Sequence, residues 1–106
     1  MYDKVKVKTW VDALRSGDYK QGQRHLCQSY DDGGVSYCCL GVYKKVVDNS
    51  TDKYLKSNKD YGGAQSAYNT LNYMFGSGFV TDLIDKNDSE GYAFKDIADY
   101  IEKELL

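Results

Sequence analysis

The chain has 106 residues, 42% of them hydrophobic and 28% charged, with a formal net charge of −2. That length holds one modest core and excludes a catalytic domain beside a separate substrate domain; the near balance of charge excludes a global basic field for nucleic acid, and no apolar run approaches the roughly 20 residues a bilayer span needs. Three cysteines, an odd number, and a start "MYDKVKVKTWVDALRSG" without an uninterrupted apolar core give the expectation of reduced thiols in a cytoplasmic protein.

Val7, Trp10, Val11 and Leu14 recur at helical spacing and predict a first helix over roughly residues 3–16, ended by Arg15 and Gly17. A polar loop, "GDYKQGQ", follows. Arg24 to Cys39 contains Asp32-Gly33, the signature of a hairpin with a primed two-residue turn. In that register partner numbers sum to 65. Leu26 then faces Cys39, Gln28 faces Tyr37 and Tyr30 faces Val35 on one side, while Cys27 opposite Cys38 and Ser29 opposite Ser36 point the other way.

In "YCCLGVYKKVV" (37–47) the spacing of Cys39, Tyr43, Val46 and Val47 becomes helical and predicts a second helix, ended by Asp48-Asn49-Ser50. Residues 48–63 are polar except for Tyr54, Leu55 and Tyr61 and read as a surface excursion with room for a short strand around Tyr54. Ala67, Tyr68, Leu71, Met74 and Phe75 predict a third helix stopped by Gly76 and Gly78, and Val80, Leu83 and Ile84 a short fourth. "KNDSEGYAF" reads as a turn. Phe94, Ile97, Ala98, Ile101 and Leu105 then form the stripe of a fifth helix, whose outer face carries Asp96, Asp99, Glu102 and Glu104. The sum is a single α+β domain over residues 1–106: a β-hairpin, widened to a three-stranded sheet if 48–63 adds a strand, packed against four to five helices.

Two adjacent cysteines at a helix start raise a chemical question. A helix dipole favours a thiolate there, and the only histidine, His25, lies on the partner strand, so Cys38 and His25 are the candidate dyad of a small cysteine hydrolase. The diagonal separation on a ribbon is ~7 Å, and no third residue orients the imidazole. Small apolar filling is the favoured reading, since free cysteine is among the most buried residue types. Cys27, Cys38, Cys39 and His25 number the four ligands of a zinc site, but adjacent strand positions point to opposite faces, so no metal site and no cofactor are expected.

Recognition falls instead to the loop after the first helix. Arg15, Lys20, Arg24 and His25 lie within eleven residues with Asp18 as the only acid among them. With Tyr19, Gln21 and Tyr37 they form the candidate ligand-binding set: basic groups for a phosphate, aromatic faces for a base. Tyr30 and Tyr43 are further aromatic candidates nearby. "GDYKQG" lacks the spacing of a Walker loop.

Three stretches, "WVDALRSGDYKQG" (10–22), "YCCLGV" (37–42) and "LIDKNDSEGYAFKDIADYIEKEL" (83–105), together resemble a family of small proteins of tailed bacteriophages and prophages. That family carries no established activity, so no catalytic residues transfer. The chain departs from the pattern at Ala93, where Ser or Thr would cap the last helix, a loss of about 1 kcal/mol at the helix start. The resemblance implies a non-enzymatic protein of the host-cell cytoplasm that neutralises a host component. The expected partner is a nucleotide-derived immune signal or, alternatively, a host protein of defence or transcription, the latter met by the acidic last helix. Homo-oligomers are compatible with this reading, membrane contact is not expected, and nucleic acid is disfavoured.

Overall fold

The computed structural model describes residues 2–57 and 67–106. Asp3 starts α1 (Lys4–Ser16) by accepting a hydrogen bond from the Val5 amide at 2.8 Å, and Gly17, at φ +81°, closes it in the left-handed conformation that glycine adopts without strain. The buried stripe of α1 is Val7, Trp10, Val11 and Leu14, as its spacing predicts. This helix packs chiefly on α6 (Phe94–Leu105) and α2 (Cys39–Val46). Trp10 ties α1 to α2: its indole N–H donates to the Cys39 carbonyl at 2.8 Å, and its ring meets the edge of Tyr43 at 5.0 Å.

The hairpin pairs β1 (Cys27–Ser29) with β2 (Val35–Tyr37) in a register one residue away from the expected one: Cys27 faces Tyr37, Gln28 faces Ser36 and Ser29 faces Val35. The cause is the loop. Tyr30 and Gly34 close it through the Tyr30 amide, which donates to the Gly34 carbonyl at 2.9 Å, leaving three loop residues. The last of these, Gly33, sits at φ +85°. Three-residue hairpins put glycine in this left-handed position after a tight turn, whereas the two-residue reading placed Asp32-Gly33 at the turn's centre. Because side chains alternate, the slip exchanges the faces. Tyr30, Gln28 and Ser36 now share one side, with the Tyr30 hydroxyl 2.9 Å from the Ser36 hydroxyl, and Tyr37 goes to the other side with Cys27.

A third strand from residues 48–63 is not part of the described structure. Residues 52–57 form α3 (Asp52–Ser57), anchored by fully buried Leu55, and 58–63 lie outside the described residues. The described sheet has two strands, and its β2 edge is met by Gln21 in a parallel bridge, through the Tyr37 amide to the Lys20 carbonyl and the Gly22 amide to the Tyr37 carbonyl. Among the described residues there are six helices rather than four to five, α3 being the addition. α4 (Ala67–Phe75) stops before Gly76, which at φ +87° takes the whole break, so Gly78 falls inside α5 (Ser77–Asp88). α5 is consequently longer than the short helix expected and runs through Asn87 and Asp88, residues read as part of a turn. Val46, Val47 and Ile84, expected inside, lie at the core's margin, while Val42, Tyr68 and Val80 complete its centre.

Candidate functional site

Besides its backbone bridge to Tyr37, loop 20–25 is held by the side chains of Asn87 and Asp88. Asn87, near the end of α5, is 1% exposed, and its amide is fully engaged. Its Nδ2 donates to the Gly22 carbonyl at 2.8 Å and to Asp88 at 2.9 Å, while its Oδ1 accepts from Gln21 Nε2 at 3.1 Å and from the Cys39 amide at 3.3 Å. Gln21 carries the tie onward. Its Nε2 donates to the Tyr92 carbonyl at 2.7 Å, and its Oε1 accepts from the Phe94 amide at 3.0 Å, supplying to α6 the N-terminal cap that Ala93 lacks. Arg24 is held by its backbone, which sits at φ +71° with its amide donating to Asp88 at 3.0 Å.

Above this network lies a cavity of about 760 Å³. Gln23, Arg24 and His25 form one wall, Gln28 and Tyr30 of the hairpin a second, and Gly91, Tyr92 and Ala93 of the α5–α6 connection a third. Because the backbone of Arg24 is fixed and its guanidinium has no acid partner among the described residues, this cation is available to a ligand. Lys20 stands 4.8 Å from the centre of the Tyr30 ring, and Lys86 stands 5.0 Å from that of Tyr92, so both rings are backed by a cation. His25 has a buried Nδ1 without a hydrogen-bond partner among the described residues.

Of the seven residues expected to bind a ligand, the structure brings Gln21, Arg24 and His25 to the cavity, with Lys20 beside Tyr30 at its hairpin wall. Gln21 serves there as a strut, its amide already committed to Asn87, Tyr92 and Phe94. Arg15 stands elsewhere: it bridges α1 to α6 through Asp99 at 2.6 Å and Glu102 at 3.1 Å. Tyr19 and Tyr37 meet each other edge to face at 5.6 Å on the opposite side of the ribbon. Tyr37 donates its hydroxyl to Asp52 at 2.8 Å, and burial together with that carboxylate pushes the phenol's pKa up. Sequence reasoning passed over Asn87, Gln28 and Tyr92 as site residues, whereas Gln23 counted among the neutral hydrogen-bonding groups of the basic loop and does line the cavity. For Asn87 a signal existed, since it follows Val80, Leu83 and Ile84 at the next apolar position of the helical stripe.

The thiols lie outside the cavity. Cys38 is 5% exposed, its pKa is pushed up to about 11 by burial, and the void it borders is about 10 Å³, lined by Asn87 and Asp88 but not by His25. Burial raises Cys39 well above the ordinary thiol range, with its Sγ 3.9 Å from the Leu83 carbonyl, and also raises Cys27. Among the described residues, no three His, Cys, Asp or Glu side chains are grouped so as to hold a metal ion. No described helix is long and apolar enough to cross a membrane.

No curated protein matches the chain, and no solved structure does. A family model for a domain of unknown function, DUF8296, matches residues 1–78. That span contains the loop and hairpin walls of the cavity, while the third wall, on the α5–α6 connection, lies beyond it. With most of its length matched, the chain belongs to the DUF8296 family.

Proposed function

We propose that this protein is a non-enzymatic, phage-type binding protein that neutralises a host component by sequestering a nucleotide-derived signal in the cavity over Asn87. The observation that carries the reading is Arg24, whose guanidinium has no acid partner among the described residues, in a cavity also lined by Tyr30 and Tyr92. A guanidinium fork matches phosphate oxygens, aromatic faces stack on a base, and the amides of Gln23 and Gln28 suit a base edge. A binding role is favoured over hydrolysis because the Cys38 thiol is protonated at neutral pH and borders no space for a substrate. A protein target reached through the acidic face of α6 has weaker support, since Arg15 already pairs with Asp99 and Glu102.

Thermal-shift measurements against mononucleotides, cyclic dinucleotides and ADP-ribose derivatives test this. A ligand at a hundred times its Kd adds ~2.7 kcal/mol, which in a domain of this size raises Tm by about 10 °C or more. Arg24→Glu keeps the same backbone demands; it should remove the shift while leaving the unliganded Tm nearly unchanged. If no nucleotide moves Tm, the reading fails and a protein target takes its place.

A further inference from the structure

We infer that Asp88 is a positioning residue of this site, holding the backbone of Arg24 in a strained conformation that presents its guanidinium to the ligand's phosphate; the inference rests on the nucleotide reading above. Arg24 sits at φ +71°. Among the described residues, every other positive φ belongs to one of four glycines or to Asn49. Glycine enters that region freely and asparagine with little penalty, whereas a long side chain there is an outlier. Glycine or asparagine at position 24 would make the same turn with less strain, so the turn does not explain the arginine. What position 24 has besides a turn is the cavity, which Arg24 lines together with Tyr30 and Tyr92. Strained backbone persists where its surroundings over-determine it, and it collects at ligand sites.

Asp88 supplies the constraint. At the end of α5, its Oδ1 accepts from the Arg24 amide at 3.0 Å and from Asn87 Nδ2 at 2.9 Å. Asn87 is itself buried and bonded to the Gly22 carbonyl and the Cys39 amide, so the carboxylate is tied to the core. A carboxylate beside an arginine often takes the guanidinium in a two-pronged bond. Here Asp88 forms no ion pair among the described residues; its oxygen is committed to the main-chain N–H, and the guanidinium keeps no acid partner. That division gives the loop a charge-assisted tether and leaves the fork to phosphate oxygens. Asp88 does not line the cavity, so its effect on a ligand passes through Arg24.

Two comparisons on the full chain test this. Arg24→Gly should melt about 3 °C or more above Arg24→Ala, because both lose the side chain and only alanine keeps the left-handed penalty. Isothermal titration then uses whichever nucleotide of the panel above gives the largest Tm shift, beside its nucleoside. In Asp88→Ala the affinity advantage of the nucleotide over its nucleoside should shrink about tenfold. Asp88→Asn keeps an acceptor for the Arg24 amide and should hold that advantage within about threefold of the wild type, with circular dichroism showing both variants folded. A carboxylate that only stabilised the fold would weaken nucleotide and nucleoside alike and leave the advantage unchanged. That result, an Asp88→Asn no better than Asp88→Ala, or an Arg24→Ala that melts as high as Arg24→Gly overturns the inference while leaving the nucleotide reading intact. Failure of every nucleotide to bind overturns both.

Discussion

Gly41 lies where α2 crosses the chain just ahead of β1, and a Cβ built on it would stand 1.9 Å from the Leu26 carbonyl oxygen. The obstacle is backbone, so no rotamer change relieves it. Gly22 is a milder case: its Cβ would meet the Ser36 hydroxyl, at 2.3 Å, which is a side chain. In a helix interior, alanine is favoured over glycine by about 1 kcal/mol, and here that gain must lose to the clash. Gly41→Ala should therefore destabilise the fold by about 1–3 kcal/mol, read as a lower urea midpoint with an unchanged slope. A neutral or stabilising result would mean that α2 does not approach Leu26 so closely. The "YCCLGV" stretch is thereby explained as packing: Cys38 and Cys39 are buried, the Cys39 carbonyl holds Trp10, and Gly41 lets the two backbones meet.

At the level of elements, spacing revealed five of the six described helices, because each buries a periodic face that writes itself into the order of residues, and the Asp32-Gly33 turn signal revealed the existence of the hairpin. It did not reveal the register. Gly33-Gly34 after two aspartates suits a two- or a three-residue loop, and only the closure between Tyr30 and Gly34 decides between them. One residue of slip then carried Tyr37 away from the cavity face and left Tyr30 on it. The candidate site was legible in the same partial way. Arg24 and His25 stood out as basic residues in a short loop, whereas Gln28 and Tyr92 become wall residues only through contacts made far along the chain. Asn87 is the element-scale test. Asn87→Ala strips partners from the Gly22 carbonyl, the Gln21 amide and the Cys39 amide at once, at a cost of about 3 kcal/mol. The Cys39 amide should exchange its hydrogen faster in the variant, and ligand binding should weaken as loop 20–25 loses its anchor. Unchanged exchange at Cys39 together with wild-type stability would show that the loop is held by other means.

Across the whole molecule, titratable groups are arranged so that stability should fall at both ends of the pH scale. On the alkaline side, burial raises Cys38 to about 11 and Tyr43 to about 12, while a hydrogen bond to Asp82 leads in raising Tyr100 to about 12. The folded chain keeps these protons to higher pH than the unfolded chain, whose cysteines titrate near ~8.5 and tyrosines near ~10. Stability is therefore full below the unfolded values and is lost as pH rises toward the folded ones. On the acid side, Asp52 is lowered chiefly by its bond from Lys45, Asp82 by that from Tyr100 and Glu102 by that from Arg15. Their contribution is present above the ordinary carboxylate range, about 4, and is lost as pH falls through their depressed values. Melting temperature should accordingly be flat between about pH 5 and 8 and decline above about 9. Cys38→Ala separates the causes: it removes a thiol whose deprotonation in the unfolded chain costs the native state on the order of 2 kcal/mol by pH 11. The variant starts lower because of the lost packing, but its curve should stay level further into alkaline pH than the wild type's. If instead both curves bend at the same pH with the same steepness, Cys38 already titrates as an ordinary exposed thiol, and the protonated, packed cysteine on which the binding reading depends is not what the protein has.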